Sequence, residues 1–264
     1  MPSIAVVQFA PSDDTAANLA TIDALVSRAA ARGATLVVLP EYSSWFSAEL
    51  GSNWVDAAQG IDGEFVTGLR ALVRRLRIHL VAGILETAEP TRISNTVVAL
   101  DSGGEVVSVY RKIHLYDAFG HRESDWVRAG DTTQPQTFAW EGFTVGLQTC
   151  YDIRFPEVTR RLVDAGATLV LVPAEWVRGP LKEHHWRTLV TARALENTIY
   201  IAAADHAPPV GVGNSMVVDP MGVELVTIGD EVGAAVAEIS VARLAAVREV
   251  NPALNLRRFG VVPL

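Results

Sequence analysis

Apolar positions along the chain switch repeatedly between a period of two and a period near 3.6. Ile4 to Phe9 is a short β-branched run and predicts a first strand. Residues 15–32 then place Leu19, Ile22, Val26 and Ala29 at helical spacing, with Asp13 or Asp14 as cap and Gly33 as stop. Thr35 to Leu39 predicts a strand ended by Pro40. Residues 64–76 predict an amphipathic helix with Phe65, Leu69, Leu72 and Leu76 on one face and Arg70, Arg74 and Arg75 on another. His79 to Leu85 is strand-like, and Asn95 to Leu100 and Val106 to Tyr110 flank the turn Asp101-Ser102-Gly103-Gly104. Phe143 to Thr149 predicts a strand that runs into Cys150. A Pro-initiated helix over 156–165, a strand over 168–172, a helix over 181–197 and a strand over 199–204 follow. Met216 to Val218 and Glu224 to Ile228 bracket Asp219-Pro220-Met221-Gly222. A strand over 233–239 and a helix over 240–249 end the pattern.

Alternating βα units mixed with hairpins predict an α/β protein with a mixed sheet. No Pro/Gly-rich linker, charge block or internal repeat divides the chain, so residues 1–264 are expected to form a single domain. The apolar fraction of 49% excludes disorder as the main state. A net charge of −8 argues against a nucleic-acid partner. The N-terminus lacks the basic and apolar regions of a signal peptide, and no run approaches the 18 or so apolar residues of a membrane helix. A cytoplasmic protein that does not act at a membrane is expected, and one cysteine leaves no intramolecular disulfide or Cys-rich zinc site.

Several common sites are missing from the sequence. There is no P-loop, no Gly-x-Ser-x-Gly elbow and no His-Glu-x-x-His. Gly211-Val212-Gly213 begins like a dinucleotide loop, but Met216 stands where the third glycine belongs. His184 and His185 are adjacent, a poor spacing for sharing one metal. Neither metal nor cofactor is expected.

Three strand-end residues carry candidate chemistry. Cys150 is either a packed core thiol or a nucleophile. A reactive thiol needs a cation and a base close by. Lys112, after the strand ending at Tyr110, is a candidate cation, or a solvated surface lysine. Glu41, after Leu39-Pro40, is a candidate base, or a cap for a neighbouring helix. All three follow predicted strands and can converge on one edge of a sheet.

Leu39-Pro40-Glu41, Tyr110-Arg111-Lys112-Ile113-His114-Leu115 and Cys150-Tyr151-Asp152-Ile153-Arg154-Phe155-Pro156-Glu157 resemble the three signatures of the nitrilase superfamily of carbon–nitrogen hydrolases, in that family's order. His185-Trp186, Ala192-Arg193-Ala194-Leu195-Glu196-Asn197 and Ser215 to Gly222 extend the resemblance, which runs from residue 4 to about residue 240. It implies a four-layer α-β-β-α sandwich with a pair of mixed sheets, and a homodimer. It also implies Cys150 as nucleophile, Glu41 as general base and Lys112 as oxyanion cation. Glu123 matches the family's second glutamate, and the Tyr151 N–H its second oxyanion donor.

Cys150-Tyr151-Asp152 resembles the amidase side of the family rather than the Cys-Trp-Glu of its nitrile-hydrolysing branches. Ile113 to Phe119 and Asp152 to Phe155 are similar to the ω-amidase and deaminated-glutathione-amidase branch, which implies a small amide with a distal carboxylate as substrate. Arg154 is expected either to grip that carboxylate or to pair with Asp152 or Glu157. Tyr42, Phe119 and Trp176 either line the pocket or pack the core. Around Ala174 to Pro180 the chain departs from ω-amidases, and Glu175 and Arg178 add charge there. Hydrolysis of N-carbamoyl compounds and a non-catalytic binding role are the competing functions. The presence of Glu41, Lys112, Glu123 and Cys150 together argues against the second.

Overall fold

The alternation inside each strand decides where its side chains go. In the computed structural model, which describes residues 1–263, Ile4 and Val6 of β1 (Ser3–Gln8) face one core while Ala5 and Val7 face another. Helix α1 (Thr15–Ala31) follows. Asp14 caps it, its carboxylate accepting from the N–H groups of Ala16 and Ala17 at 2.9 and 3.0 Å. After β2 (Leu36–Val38) come a short helix α2 (Ser52–Ala57), the amphipathic α3 (Glu64–Leu76) and the long hairpin of β3 (His79–Glu89) and β4 (Arg92–Leu100). Strand β5 (Val106–Arg111) pairs with β4 across the predicted Asp101 turn, and the two-residue β6 (Val127–Arg128) pairs with Ile93 and Ser94 on the same edge of β4, beyond the end of β5.

The second half builds the second sheet. Its strands are β7 (Thr137–Trp140), β8 (Phe143–Leu147), β9 (Leu169–Pro173), β10 (Tyr200–Ala204), β11 (Met216–Val218) and β12 (Glu224–Thr227). Helix α4 (Pro156–Asp164) connects β8 to β9, and α5 (Lys182–Asn197) connects β9 to β10. The chain then returns to the first sheet as β13 (Gly233–Glu238), antiparallel to β1, before α6 (Val241–Val250). The sheet orders are β13-β1-β2-β3-β4-β5, with β6 beside β4, and β12-β11-β10-β9-β8-β7. Each mixes parallel and antiparallel pairs.

The layers follow from burial. Ile4, Val6, Leu36 and Val81 of the first sheet meet Val145, Leu147, Leu169 and Leu171 of the second. On its outer side the first sheet packs Val37, Leu80 and Ala82 on Ile22, Leu25 and Val26 of α1 and Phe65, Leu69 and Leu72 of α3. The second packs Val170, Val172 and Ile201 on Leu162, Trp186 and Val190 of α4 and α5. A fully buried aliphatic side chain contributes about 1.5–3 kcal/mol, so three such cores hold both sheets firmly under any loops at their ends. The result is the expected α-β-β-α sandwich. Among the described residues, no helix is long and apolar enough to cross a membrane.

Candidate active site

Glu41 leaves the end of β2, Lys112 leaves the end of β5, and Cys150 leaves the end of β8. The expected convergence occurs, but not on one edge of one sheet. Glu41 and Lys112 come from the first sheet and Cys150 from the second, so the residues meet across one end of the sandwich.

Backbone contacts set each position. Gly83 on β3 lies directly under Glu41: a Cβ there would stand 2.6 Å from the Glu41 Cα and 2.7 Å from the Tyr42 nitrogen. The carbonyl of Glu41 accepts from His206 Nε2 at 2.6 Å. Burial pushes the His206 pKa down to about 4, so the ring is neutral with its proton on Nε2. The Lys112 N–H donates to the Asn95 carbonyl of β4 at 2.9 Å, and its own carbonyl accepts from Gly130 N–H at 2.8 Å.

Cys150 opens a 3-10 turn, Cys150–Arg154, with φ +45°. That left-handed conformation is costly for a non-glycine residue and needs support. Asp152 supplies it. Its fully buried carboxylate accepts from Thr149 N–H (3.1 Å), the Tyr110 hydroxyl (2.5 Å) and the His114 N–H (3.0 Å), and it lies 2.9 Å from His114 Nδ1. One side chain thus ties the Cys150 turn to the segment that carries Lys112.

The side chains form a dense polar cluster, with Glu41, Lys112 and Glu123 each under 5% exposed. Lys112 Nζ lies 3.0 Å from Glu41 Oε1 and 2.9 Å from Glu123 Oε2. Asn95 Nδ2 donates to Glu41 Oε1 at 2.6 Å and to the Tyr42 hydroxyl at 2.7 Å, and that hydroxyl donates to Glu123 Oε1 at 2.5 Å. The Tyr116 N–H donates to Glu123 Oε2 at 2.5 Å. The Glu175 N–H donates to Glu41 Oε2 at 2.6 Å, and the Cys150 thiol donates to the Glu175 carbonyl at 3.4 Å.

These contacts split the two carboxylates. Burial raises the Glu41 pKa; Lys112 opposes the rise, and Glu123 adds to it. Burial acts on Glu123 in the same direction, but Lys112 with the Tyr42 and Tyr116 donors outweighs it and holds that carboxyl below the ordinary range. Burial alone would lower the Lys112 pKa, yet the paired carboxylates carry it well above the usual lysine value. Burial and Glu41 push the Cys150 thiol well up against Lys112. Burial, with the neighbouring Glu41 charge, thus favours the thiol form of the sulfur over the thiolate.

A cavity of about 210 Å³ opens onto this cluster. Glu41, Tyr42, Lys112, Glu123, Cys150, Tyr151, Glu175 and Trp176 line it, together with Phe46, Trp54, Tyr116 and Lys182. Of the expected pocket residues, Arg154 and Phe119 lie outside this lining, and Phe119 is exposed rather than core. Arg154 pairs with neither Asp152, which is occupied by Tyr110 and His114, nor Glu157; its guanidinium lies over the Trp176 and Phe119 rings. Arg178 points outward to Glu183. Asn95, His206, Tyr116 and Lys182 are additions that motif reading missed. Asn95 had a signal: Ser94-Asn95-Thr96 is a run of three polar residues between Ile93 and the apolar Val97 to Leu100 of β4, and all three are buried.

Residues 3–249 match the carbon-nitrogen hydrolase family. The chain is 39% identical over 256 residues to a deaminated glutathione amidase of Escherichia coli O157:H7, covering 97% of each chain. It is 33% identical to the mouse deaminated glutathione amidase, over 98% of this chain and 84% of that one. Among solved structures, the Caenorhabditis elegans NitFhit protein superposes with a TM-score of 0.89 at 30% identity, over 97% of this chain; the match spans 65% of the NitFhit chain. A Nesterenkonia amidase of the nitrilase superfamily superposes with a TM-score of 0.78 at 31% identity, over 96% of each chain. The chain belongs to the carbon-nitrogen hydrolase family.

Proposed function

We propose that the protein hydrolyses a small linear amide through a Cys150 thioester, releasing ammonia, and that the amide is the ω-amide of a carboxylic acid. The observation that carries this reading is the buried Glu41–Lys112–Glu123 network opening, beside Cys150, into one cavity. A non-catalytic binding role gives no reason to bury two carboxylates on one ammonium, an arrangement that costs desolvation.

Each group has a task in this scheme. Glu41 takes the thiol proton as the sulfur attacks the amide carbon. The carbonyl π pair moves to oxygen, where Lys112 Nζ and the Tyr151 N–H receive the oxyanion. Tyr151 is the second residue of its turn, where N–H groups lack an intrahelical acceptor. Each such donor is worth about 3–4 kcal/mol in hydrolases. Glu41 then passes its proton to the leaving nitrogen, the C–N bond breaks and ammonia departs. Water, deprotonated by Glu41, attacks the thioester. The C–S bond breaks, the sulfur regains its proton from Glu41 and the acid leaves. Glu123 keeps Lys112 protonated and in place through all of these steps.

One carboxylate alternates between base and acid, so its pKa must lie closer to neutrality than an ordinary glutamate's. The direction of the Glu41 shift fits that demand. The 31–39% identical amidases support the choice of an amide, and those named for deaminated glutathione support a carboxylate-bearing one. The same reading has the protein as a homodimer. Exposed Val250, Leu256, Phe259 and Val262 near the C-terminus support a surface covered by a partner, which light scattering would test. An ammonia-release screen over ω-amides, N-carbamoyl compounds and nitriles tests the function, with Cys150→Ala as control. ω-Amides are expected to dominate, and turnover confined to another class would reject the assignment.

A further inference from the structure

Two cations share one aromatic platform beside the cavity with no carboxylate between them. Lys182, the first residue of α5, lines the cavity and is 7% exposed. Its Nζ donates to the Tyr116 hydroxyl at 2.8 Å and lies 4.9, 4.6 and 5.2 Å from the ring centroids of Tyr116, Phe119 and Trp176. The Arg154 guanidinium lies over two of the same rings, 5.8 Å from Phe119 and 4.9 Å from Trp176. Its side-chain polar contact is Nη2 to His185 Nδ1 at 3.3 Å, and its Nε is buried without a partner. Among the described residues neither cation forms a salt bridge.

Like charges held this close oppose each other, and removal from water penalises both. Burial and Arg154 together pull the Lys182 pKa below the usual lysine range, while a charge on Cys150 or Glu175 would raise it. Glu175 is the acidic side chain on this part of the wall. It forms no salt bridge with either cation among the described residues, and burial and Glu41 push its pKa well up, which weakens it as a counter-charge. What fits between an ammonium with free N–H groups and a guanidinium edge is a small, planar anion with two acceptor oxygens.

We propose that Lys182 selects the substrate, binding with Arg154 a carboxylate at the end of the molecule away from the scissile amide. This rests on the amide-hydrolase reading and adds the residue that discriminates among amides. Lys182 and Cys150 line the same small cavity, so an anion anchored at Lys182 points the other end of a short molecule at the thiol. Tyr116 links the two ends: its hydroxyl holds Lys182 and its N–H holds Glu123.

The test is calorimetric binding to the Cys150→Ala protein, which removes turnover. Glutaramate, the monoamide of a five-carbon diacid, is compared with pentanamide, its neutral counterpart. Glutaramate is expected to bind at least tenfold tighter. That preference should fall below threefold when Lys182→Gln is added and return largely with Lys182→Arg. Lys182→Met, which keeps the stem over the rings, carries the same expectation as Lys182→Gln if that variant does not fold. Equal affinity for the two amides, or a preference that survives loss of the ammonium, would overturn the assignment. Ammonia release by the wild type is measured in parallel. No release from either amide, with the glutaramate preference intact, would reject the hydrolase reading and leave the anion site standing.

Discussion

The main-chain N–H of Glu175 donates to the carboxylate of Glu41 at 2.6 Å, and the carbonyl of the same residue receives the Cys150 thiol at 3.4 Å. The segment after β9 therefore aligns the base with the sulfur through backbone atoms. The side chain at position 175 is left free to face the cavity, and β-sheet packing sets the alignment.

Glu41→Gln should lower kcat/KM by about 10²–10⁴-fold, the usual worth of a positioned base. The wild-type profile should fall toward acid with an apparent pKa above 4.5, since burial raises Glu41 from that value and the protonated acid cannot accept the thiol proton. The same limb should vanish from the residual activity of Glu41→Gln. A limb that persists unchanged would assign it to another group.

Lys112→Met removes the counter-charge of two buried carboxylates. Breaking such a pair costs about 3–5 kcal/mol of stability. Turnover should fall about 10²–10³-fold with little change in KM, because the oxyanion exists only in the transition state. Denaturant melts and steady-state kinetics check both. A loss confined to KM would contradict the oxyanion role.

The two glutamates should respond to pH with opposite sign. Glu41 has a raised folded pKa, so its contribution is full below the unfolded value and is lost as pH rises through the folded one. Glu123 has a depressed folded pKa, so its contribution is present above the unfolded value and is lost as pH falls through the folded one. The Tm of Glu41→Gln relative to wild type should therefore rise between pH 4 and pH 8, while that of Glu123→Gln should fall. Parallel trends in the two variants would show that the split between the carboxylates is wrong.

Gly83→Ala places a methyl group 2.6 Å from the Glu41 Cα, against backbone that cannot rotate away. Overpacking of this kind costs about 1–3 kcal/mol. A base displaced by about 1 Å loses about 10²-fold in rate, so kcat/KM should fall by that order although residue 83 lies outside the cavity lining. Unchanged kinetics would mean that the Glu41 position tolerates such a shift.

Period and turn chemistry made most of the fold legible. Asp14 and the Asp101 turn behave as their side chains require, and the short apolar runs of β1 and β9 are buried strands, as expected. Helix α2 was missed because it has six residues and buries only Trp54. The β3–β4 hairpin extends beyond its apolar part because Glu86 and Thr96 satisfy each other inside it, at 2.7 Å. In the site, Glu41, Lys112 and Cys150 stood in motifs at strand ends, and Glu123 was found only through the resemblance. Asn95 and His206 act on Glu41 from strand and loop positions 54 and 165 residues away; the buried polar run marks Asn95 as unusual, but local pattern does not say which residue either one contacts. The role of Asp152 was also hidden, since its partners Tyr110 and His114 come from the other sheet's strand end.

The central claim is that Cys150 is the nucleophile, and ammonia release by Cys150→Ala tests it most directly. Removing one buried sulfur should leave the fold intact, with an unchanged circular dichroism spectrum. The account predicts that release from an ω-amide falls by at least about 10⁴-fold, as when a covalent nucleophile is deleted. A folded Cys150→Ala protein that keeps a tenth or more of wild-type turnover would contradict it.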